Sequence, residues 1–555
     1  STEIKEVLSI LNEKQIPTLS MNHRYVKDGA LISYSKDNSI SYLTRKMALM
    51  ADDALNGEQL SKMKVSINKK RELSLNVSTA RKINFSPSFE TLFTANIIND
   101  SSLELPSYSI QEIVKKALET NLDIQLSNMD ISLSENDIKY AKSQFSPDAS
   151  INASGTWIDK NRPNPIIGQA ERSIVGNGKV QQLLYSESAI ANIKIQKYIK
   201  EAQKYATDQE ILTQILNCYT AYFSILKAKT NATIQSENLK AYKTNLELAK
   251  VRSNIGSNSN SDVYRWESEV ANTKQAVIEA QTNIYISKYR LNTLLNLTLE
   301  SEFDVKDILL DGEIFKSYSK SVLSKSVTSP AKLESLTEFL INEAKNKHPS
   351  ANQLLANLNA VDRQIIMNKR MYYTPTVALS GQIDQNFYRG GLGSEPLPDY
   401  DFFNTTGSTS IAVSYPLFDG NRRKINLQKS KIQHLQLSTQ IDNLNQNLAL
   451  QVRINTINLL TSGTKINYSK TSAKNTKNNF DLVQENYKQG TVSITQLIDA
   501  QKAAFTSQQA YSISIYNYLL DFLTLENSIG FYSMLNTEEE NAAFENRYLE
   551  HIKNN

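Results

Sequence analysis

Two long stretches of this chain lack the residues that break helices. No proline occurs between Pro165 and Pro330, and none follows Pro416. Between Gly178 and Gly312 the only glycine is Gly256. Proline costs a helix interior about 3 kcal/mol and glycine about 1 kcal/mol, so these stretches can run as continuous helix. Residues 186–253 predict one helix, a rod of roughly 100 Å at 1.5 Å per residue. A helix of that length requires coiled-coil or similar packing. The heptads supply it. Ile494, Leu497, Gln501, Ala504, Gln508, Tyr511, Ile515, Tyr518, Phe522, Leu525 and Ile529 keep strict three–four spacing. Val270, Val277, Ile284 and Leu291 recur every seven, and Leu437, Ile441, Leu444, Leu448 and Val452 repeat the pattern. A sustained 3.5 repeat predicts left-handed supercoiling. Gln501, Ala504 and Gln508 are small or polar, which suits a wide helical tube better than a dry two-stranded zipper.

The helices come in two matching copies. Gly256 and Gly490 each sit alone between helical stretches, and each opens a turn: Ile255-Gly256-Ser257-Asn258-Ser259-Asn260 and Gln489-Gly490-Thr491-Val492-Ser493-Ile494. Before them stand Leu183-Leu184-Tyr185-Ser186 and Pro416-Leu417-Phe418-Asp419, which read as matching strand ends. Tyr185 to Gly256 is 71 positions and Phe418 to Gly490 is 72. Spacing held over that span indicates an internal duplication and two long hairpins of equal reach. The first repeat is expected at 108–299 and the second at 336–532, with 300–335 between them and a charged, partly disordered tail at 533–555.

Each copy also predicts two strands. Ala149, Ile151, Ala153 and Trp157 alternate with polar residues. So do Val377, Leu379, Ile383 and Phe387, and Thr409, Ile411, Val413, Tyr415 and Leu417 form a third apolar face. A Gly-rich fourth strand is expected near 172–183. Strands of about ten residues, apolar on one face only, fit a membrane barrel with a wet interior or a soluble sandwich. Four strands cannot close a barrel, and open edges are not tolerated in lipid. The membrane reading therefore requires several chains.

Composition narrows the function. Lys and Arg number 61 against 57 Asp and Glu, a net charge of +4 that does not argue for nucleic acid. No run of eighteen apolar residues predicts a membrane helix. The single Cys218 reads as a small core residue, and the four histidines are scattered, so neither disulfide, metal site nor cofactor is expected. No nucleophile–base pair or phosphate loop stands out, and no enzyme is expected. The chain begins at Ser1, as a processed secreted protein or a fragment does.

The duplicated strand ends and tips resemble the TolC-type outer-membrane efflux protein family over about residues 106–532. Gln182-Leu183-Leu184-Tyr185, Tyr415-Pro416-Leu417-Phe418-Asp419-Gly420, and Tyr487-Lys488-Gln489-Gly490-Thr491 through Leu497-Ile498-Asp499-Ala500 carry the likeness. It implies a mainly α fold: helical hairpins forming an α-barrel, with four strands given to a trimeric transmembrane β-barrel. It implies an outer-membrane homotrimer in lipid, a large periplasmic part, and a passive channel for efflux or type I secretion. Its partners would be a periplasmic adaptor and an inner-membrane RND or ABC pump.

The family rings its entrance with two carboxylates, and the matching positions here are Gln496 and Asp499. An entrance clasp falls on Asp262 and Tyr487, where a phenol–carboxylate hydrogen bond is chemically sensible. A second clasp uses a basic residue where this chain has Val492, which implies a less tightly held closed state. Gly256, Gly490, Thr491 and Val492 are the tip turns that would contact the adaptor.

Residues 1–98 lie outside that likeness. Val26 to Tyr34, an amphipathic stretch at 43–55, strands at 64–67 and 73–76 and a helix at 78–82 read as partial α/β. They resemble the C-terminal part of periplasmic solute-binding proteins of ABC transporters, with 99–107 as linker. Two rival functions follow: a soluble periplasmic structural coiled-coil or adhesin-like protein, and a solute receptor using 1–98.

Overall fold

The computed structural model describes residues 2–34, 47, 51, 54, 73–98, 105–159, 161–163, 169–254, 260–307, 330–395, 403–533 and 536–554. The fold is mainly helical. In chain order the elements are α1 (Thr2–Glu13), β1 (Leu19–Ser20), α2 (Arg24–Lys27), β2 (Ile32–Ser33), β3 (Ser74–Asn76), α3 (Val77–Lys82), α4 (Phe89–Thr94), β4 (Asn96–Ile98) and β5 (Ser107–Tyr108). The first copy follows as α5 (Ile110–Thr120), α6 (Leu122–Ser143), β6 (Asp148–Trp157), β7 (Arg172–Tyr185), α7 (Glu187–Asn254) and α8 (Asn260–Leu294). After β8 (Asp304–Val305) come α9 (Pro330–Lys347), α10 (Pro349–Arg370), β9 (Thr376–Gly390), β10 (Thr405–Ser414), α11 (Arg422–Lys488), α12 (Ile494–Ile529) and α13 (Glu538–Asn554).

Contacts gather these elements into two compact units. One comprises Ser1–Asn121, Gln214–Leu333 and Asn455–Leu525; the other comprises Leu122–Thr213, Glu334–Ile454 and Glu526–Asn555. Helices α7 and α11 contribute to both.

The second unit holds an antiparallel sheet of order β10-β9-β7-β6. Its register sorts the side chains. Ile151 pairs with Gly178, Gly178 with Ile383, and Ile383 with Gly407. Directly paired residues share a face, so Ala149, Ile151, Val180, Leu379, Ile383, Ile411 and Val413 lie on one side. The other side carries Asn152, Asn177 and Asp384, joined by hydrogen bonds from Asn152 to Asn177 (3.4 Å) and from Asn177 to Asp384 (2.9 Å). The apolar face is uncovered: Ile151 is 90% exposed and Trp157 78%. Both edge strands, β6 and β10, are exposed along their whole length.

The predicted third apolar face is displaced. β10 starts at Thr405 and stops at Ser414, before Pro416, which has no N–H to give a ladder. Thus β7 runs almost directly into α7, whereas β10 and α11 are separated by a turn with Gly420 and Asn421 at φ +66°. Asp419 caps that turn by accepting from the Arg423 N–H at 3.1 Å.

The tail also departs from expectation. Most of 533–555 is α13, started by a Thr537–Glu540 capping box. Phe544 stacks on Phe531 at 4.5 Å, Phe339 meets Tyr548 at 5.2 Å, and Arg547 grips Glu343 through two bonds at 2.8 and 3.0 Å. Phe544, Tyr548 and His551 recur at helical spacing, a pattern masked by the surrounding charge.

In the first unit, β1-β2-β3-β4 make a small mixed sheet. Buried Asn76 caps α3 through Thr79 N–H at 3.0 Å, and buried His23 bonds Ser74 at 3.0 Å. Within Val26 to Tyr34 only Ile32–Ser33 is strand, and Val26 lies in helix α2. The stretch at 43–55, apart from Met47, Ala51 and Ala54, and the strand at 64–67 lie outside the described residues.

Candidate functional site

The ends of α7, α8, α11 and α12 meet in the first unit around Trp266, Tyr242, Leu239, Leu497 and Ile498, which are buried together. Helix α11 stops at a Schellman turn: Thr491 N–H bonds Asn486 O at 3.0 Å and Gly490 N–H bonds Tyr487 O at 3.1 Å. Gly490 has φ +77°, the left-handed region that glycine enters without a side-chain clash. Gly256, the matching turn residue, lies outside the described residues.

Gln496 and Asp499 both sit exposed in the first two turns of α12, with different surroundings. The Gln496 Oε1 accepts from Ser493 N–H at 2.8 Å, and Ser493 Oγ accepts from Gln496 N–H at 3.3 Å. This is a capping box. Its signal stands in Ser493-Ile494-Thr495-Gln496, so Gln496 is more than a neutral replacement for a carboxylate. Val492 packs, half-buried, against the apolar cluster and brings no charge.

Tyr487 is buried, and its phenol oxygen has no hydrogen-bond partner among the described residues. Burial pushes its pKa up, and the Asp262 carboxylate adds to the push. The Trp266 indole N–H opposes the shift without reaching hydrogen-bond geometry, and the Arg252 guanidinium opposes it too. Arg252 lies over the Tyr487 ring at 5.5 Å and donates to Lys488 O at 3.0 Å. Arg265, on α8, donates to Thr495 Oγ1 on α12 at 2.8 Å. Both arginines therefore tie the first hairpin to the second. Sequence reasoning misses both, because nothing local marks a partner more than two hundred residues away.

Farther from the tip, α7 and α12 meet through amides. Asn231 bonds Gln509 at 2.7 Å, while Gln501 bonds Asn245 at 3.2 Å and Asn238 at 3.4 Å. Gln501 is fully buried. The predicted seam member Gln508 is exposed, and its neighbour Gln509 makes the contact. The later heptad positions Phe522, Leu525 and Ile529 stay buried, so the departure at Gln508 is local.

The described residues hold no group of three or more His, Cys, Asp or Glu placed for a metal. No helix among them is long and apolar enough to cross a membrane.

The family model for outer membrane efflux protein matches residues 113–297 and 340–531. The chain is similar to outer membrane protein TolC of Escherichia coli (strain K12), 21% identical over 434 residues, covering 76% of this chain and 82% of that protein. It is 19% identical to TolC of Vibrio cholerae serotype O1 over 455 residues, covering 81% and 97%. Among solved structures, the fold is similar to CusC (TM-score 0.62, 15% identity, 77% of this chain and 94% of that one). It is also similar to outer membrane protein VceC of Vibrio cholerae (TM-score 0.61, 14% identity, 76% and 96%). Two matched repeats, a four-stranded sheet with a bare apolar face, and this agreement together place the chain in the outer membrane efflux protein family, as an outer-membrane efflux channel with a large periplasmic part.

Proposed function

We propose that three copies of this chain form a passive conduit whose entrance is gated at the hairpin tips. One observation carries the assembly: the two sheet edges are bare, and each adjoins a helix with an uncovered apolar stripe. Helix α6, which leads into β6, exposes Leu122, Leu126, Met129, Leu133 and Tyr140 at heptad spacing. Helix α11, which follows β10, exposes Ile425, Ile432 and Leu435. Two different surfaces on opposite edges make a head-to-tail contact that closes a ring when the rotation permits. Three copies give twelve strands and no lipid-exposed edge, the apolar face outward and the Asn177–Asp384 face inward.

At the tips, three Asp499 carboxylates around one axis would favour cations and repel one another. The Arg252 and Arg265 bonds hold the two hairpins together where Val492 supplies no charge, and the Asp262 carboxylate acts on the Tyr487 phenol through space. The turns at Gly256, Gly490, Thr491 and Val492 are the surface offered to a periplasmic adaptor, with energy supplied by an inner-membrane pump of RND or ABC type.

Conductance of the purified protein in planar bilayers tests the reading. Arg252→Ala should raise resting conductance, and Asp499→Asn should reduce cation preference. Tyr487→Phe should raise conductance further if its phenol takes part in the clasp. If the full chain forms no pore, or Arg252→Ala and Asp499→Asn both match the parent, the gated-channel reading fails. A chain that purifies without detergent as an elongated soluble protein defeats the membrane assembly itself.

A further inference from the structure

The end of the sheet nearest the helices carries cations and aromatics that the channel reading does not use. Tyr372, Tyr373, Tyr415 and Phe418 are exposed there, and Leu417 is 88% exposed. The group is built, since the Tyr415 hydroxyl donates to Tyr372 O at 2.6 Å. Arg423 lies over both rings at 5.4 and 5.9 Å, pairs with Asp419 at 3.2 Å and donates to Met371 O at 3.3 Å. Around this frame stand Lys369, Arg422 and Lys424, all exposed. None of those three has an ion-pair partner among the described residues; the nearby carboxylates Asp419 and Glu187 are held by Arg423 and by Arg363 and Arg370.

We propose that the connections between α10 and β9 and between β10 and α11 bind anionic phospholipid in the periplasmic leaflet. Lys369, Arg422 and Lys424 meet the headgroup phosphate, and Leu417 and Phe418 enter the acyl region. Two observations select lipid as the occupant. The patch begins at Tyr415, two residues beyond Val413 of the bare apolar face, and its unpaired charge is of one sign. Aromatic residues with cations beside them are the side chains that settle at a membrane–water boundary. The opposite end of the sheet has Trp157, Phe387 and Phe403 exposed, giving the second aromatic girdle expected of such a barrel. The matching β7–α7 connection of the first repeat runs through Ser186 and buried Glu187 and has no counterpart of Arg422 and Lys424.

This inference rests on the sheet lying in lipid, and its test is independent of conductance. The full chain, extracted in mild detergent, is offered phosphatidylglycerol or phosphatidylethanolamine, and retained lipid is counted by native mass spectrometry. Phosphatidylglycerol should be retained in preference. Arg422→Gln with Lys424→Gln should cut that preference by at least about fivefold, since a basic residue at an anionic surface contributes about that factor. Leu417→Ser with Phe418→Ser should lower retention of both lipids and leave their ratio unchanged. Inorganic phosphate should not displace the lipid; if it does, the site is for a soluble anion and the proposal falls. It also falls if the parent retains both lipids equally, or if the glutamine pair retains them like the parent. Loss of the oligomer in detergent on Leu417→Ser with Phe418→Ser would assign the patch to a second copy instead.

Discussion

Glu526 is a fully buried carboxyl near the end of α12, and its replacement by glutamine should flatten the pH dependence of stability. One oxygen accepts from Ser533 N–H at 3.1 Å, while the other has no hydrogen-bond partner among the described residues. Burial raises its pKa to about 8. In the unfolded chain a glutamate titrates near 4.3, so between these values the folded state holds more protons than the unfolded one. Stability therefore falls as pH rises through that window, and by linkage the loss between pH 6.5 and 8.5 is about 2 kcal/mol per chain. His348, packed against Gly530, is the nearby group to separate. Burial lowers its pKa, so its cost grows as pH falls through its ordinary 6.5, opposite in sign to that of Glu526 and common to both proteins. Apparent melting temperatures of the detergent-solubilised protein at pH 6.5 and 8.5 make the assay. The parent should lose a few degrees more than Glu526→Gln over that interval. Parallel curves for the two proteins would refute the buried, uncompensated carboxyl. The first repeat supplies a precedent. Asn292 and Glu526 each accept through the main chain from a residue five positions on, at turns with Asn296 and Gly530 in the left-handed region, and Asn292 is a neutral amide.

Four further outcomes are expected. Phe544→Ala should remove the stack that seats α13 at a cost of about 3–5 kcal/mol, and limited proteolysis should then cut after residue 533 much faster. Gly490→Ala meets no neighbour within 4 Å, so its penalty is purely conformational, about 1 kcal/mol; amide exchange should quicken at Thr491 and leave β7 and β9 unchanged. Gln496→Ala should lose the capping box, about 1 kcal/mol by hydrogen exchange at the start of α12. Gln496→Glu should keep that box and increase cation preference in bilayers.

Helix limits are readable to one residue at α7, because proline and glycine are absent there and a helix has nothing else to stop it. The strands are readable wherever side chains alternate. β10 is shifted because alternation continues past Ser414 into Tyr415 and Leu417, although Pro416 cannot continue the ladder. Helix α13 is hidden by charge: its three rings contribute little to average composition but sit at one spacing. The tip bonds are less accessible. Arg252 and Lys488, or Arg265 and Thr495, are joined only once two hairpins fold beside each other, and no local pattern encodes that pairing. The Asn231, Asn238, Asn245 spacing is in plain view. Its meaning depends on Gln501 and Gln509 across the seam, which a heptad count places at 501 and 508.

The bare edges of β6 and β10 also fix an order of events. Each edge offers alternate N–H and C=O groups along ten residues. In hydrocarbon every unmet group costs several kcal/mol, so one chain alone would carry a penalty on the order of tens of kcal/mol. A solitary copy thus has no stable residence inside the bilayer. In the three-copy assembly proposed above, neighbours would therefore meet before insertion or during it, and a variant that weakens the α6 or α11 stripe should accumulate outside the membrane as material already folded in its helices.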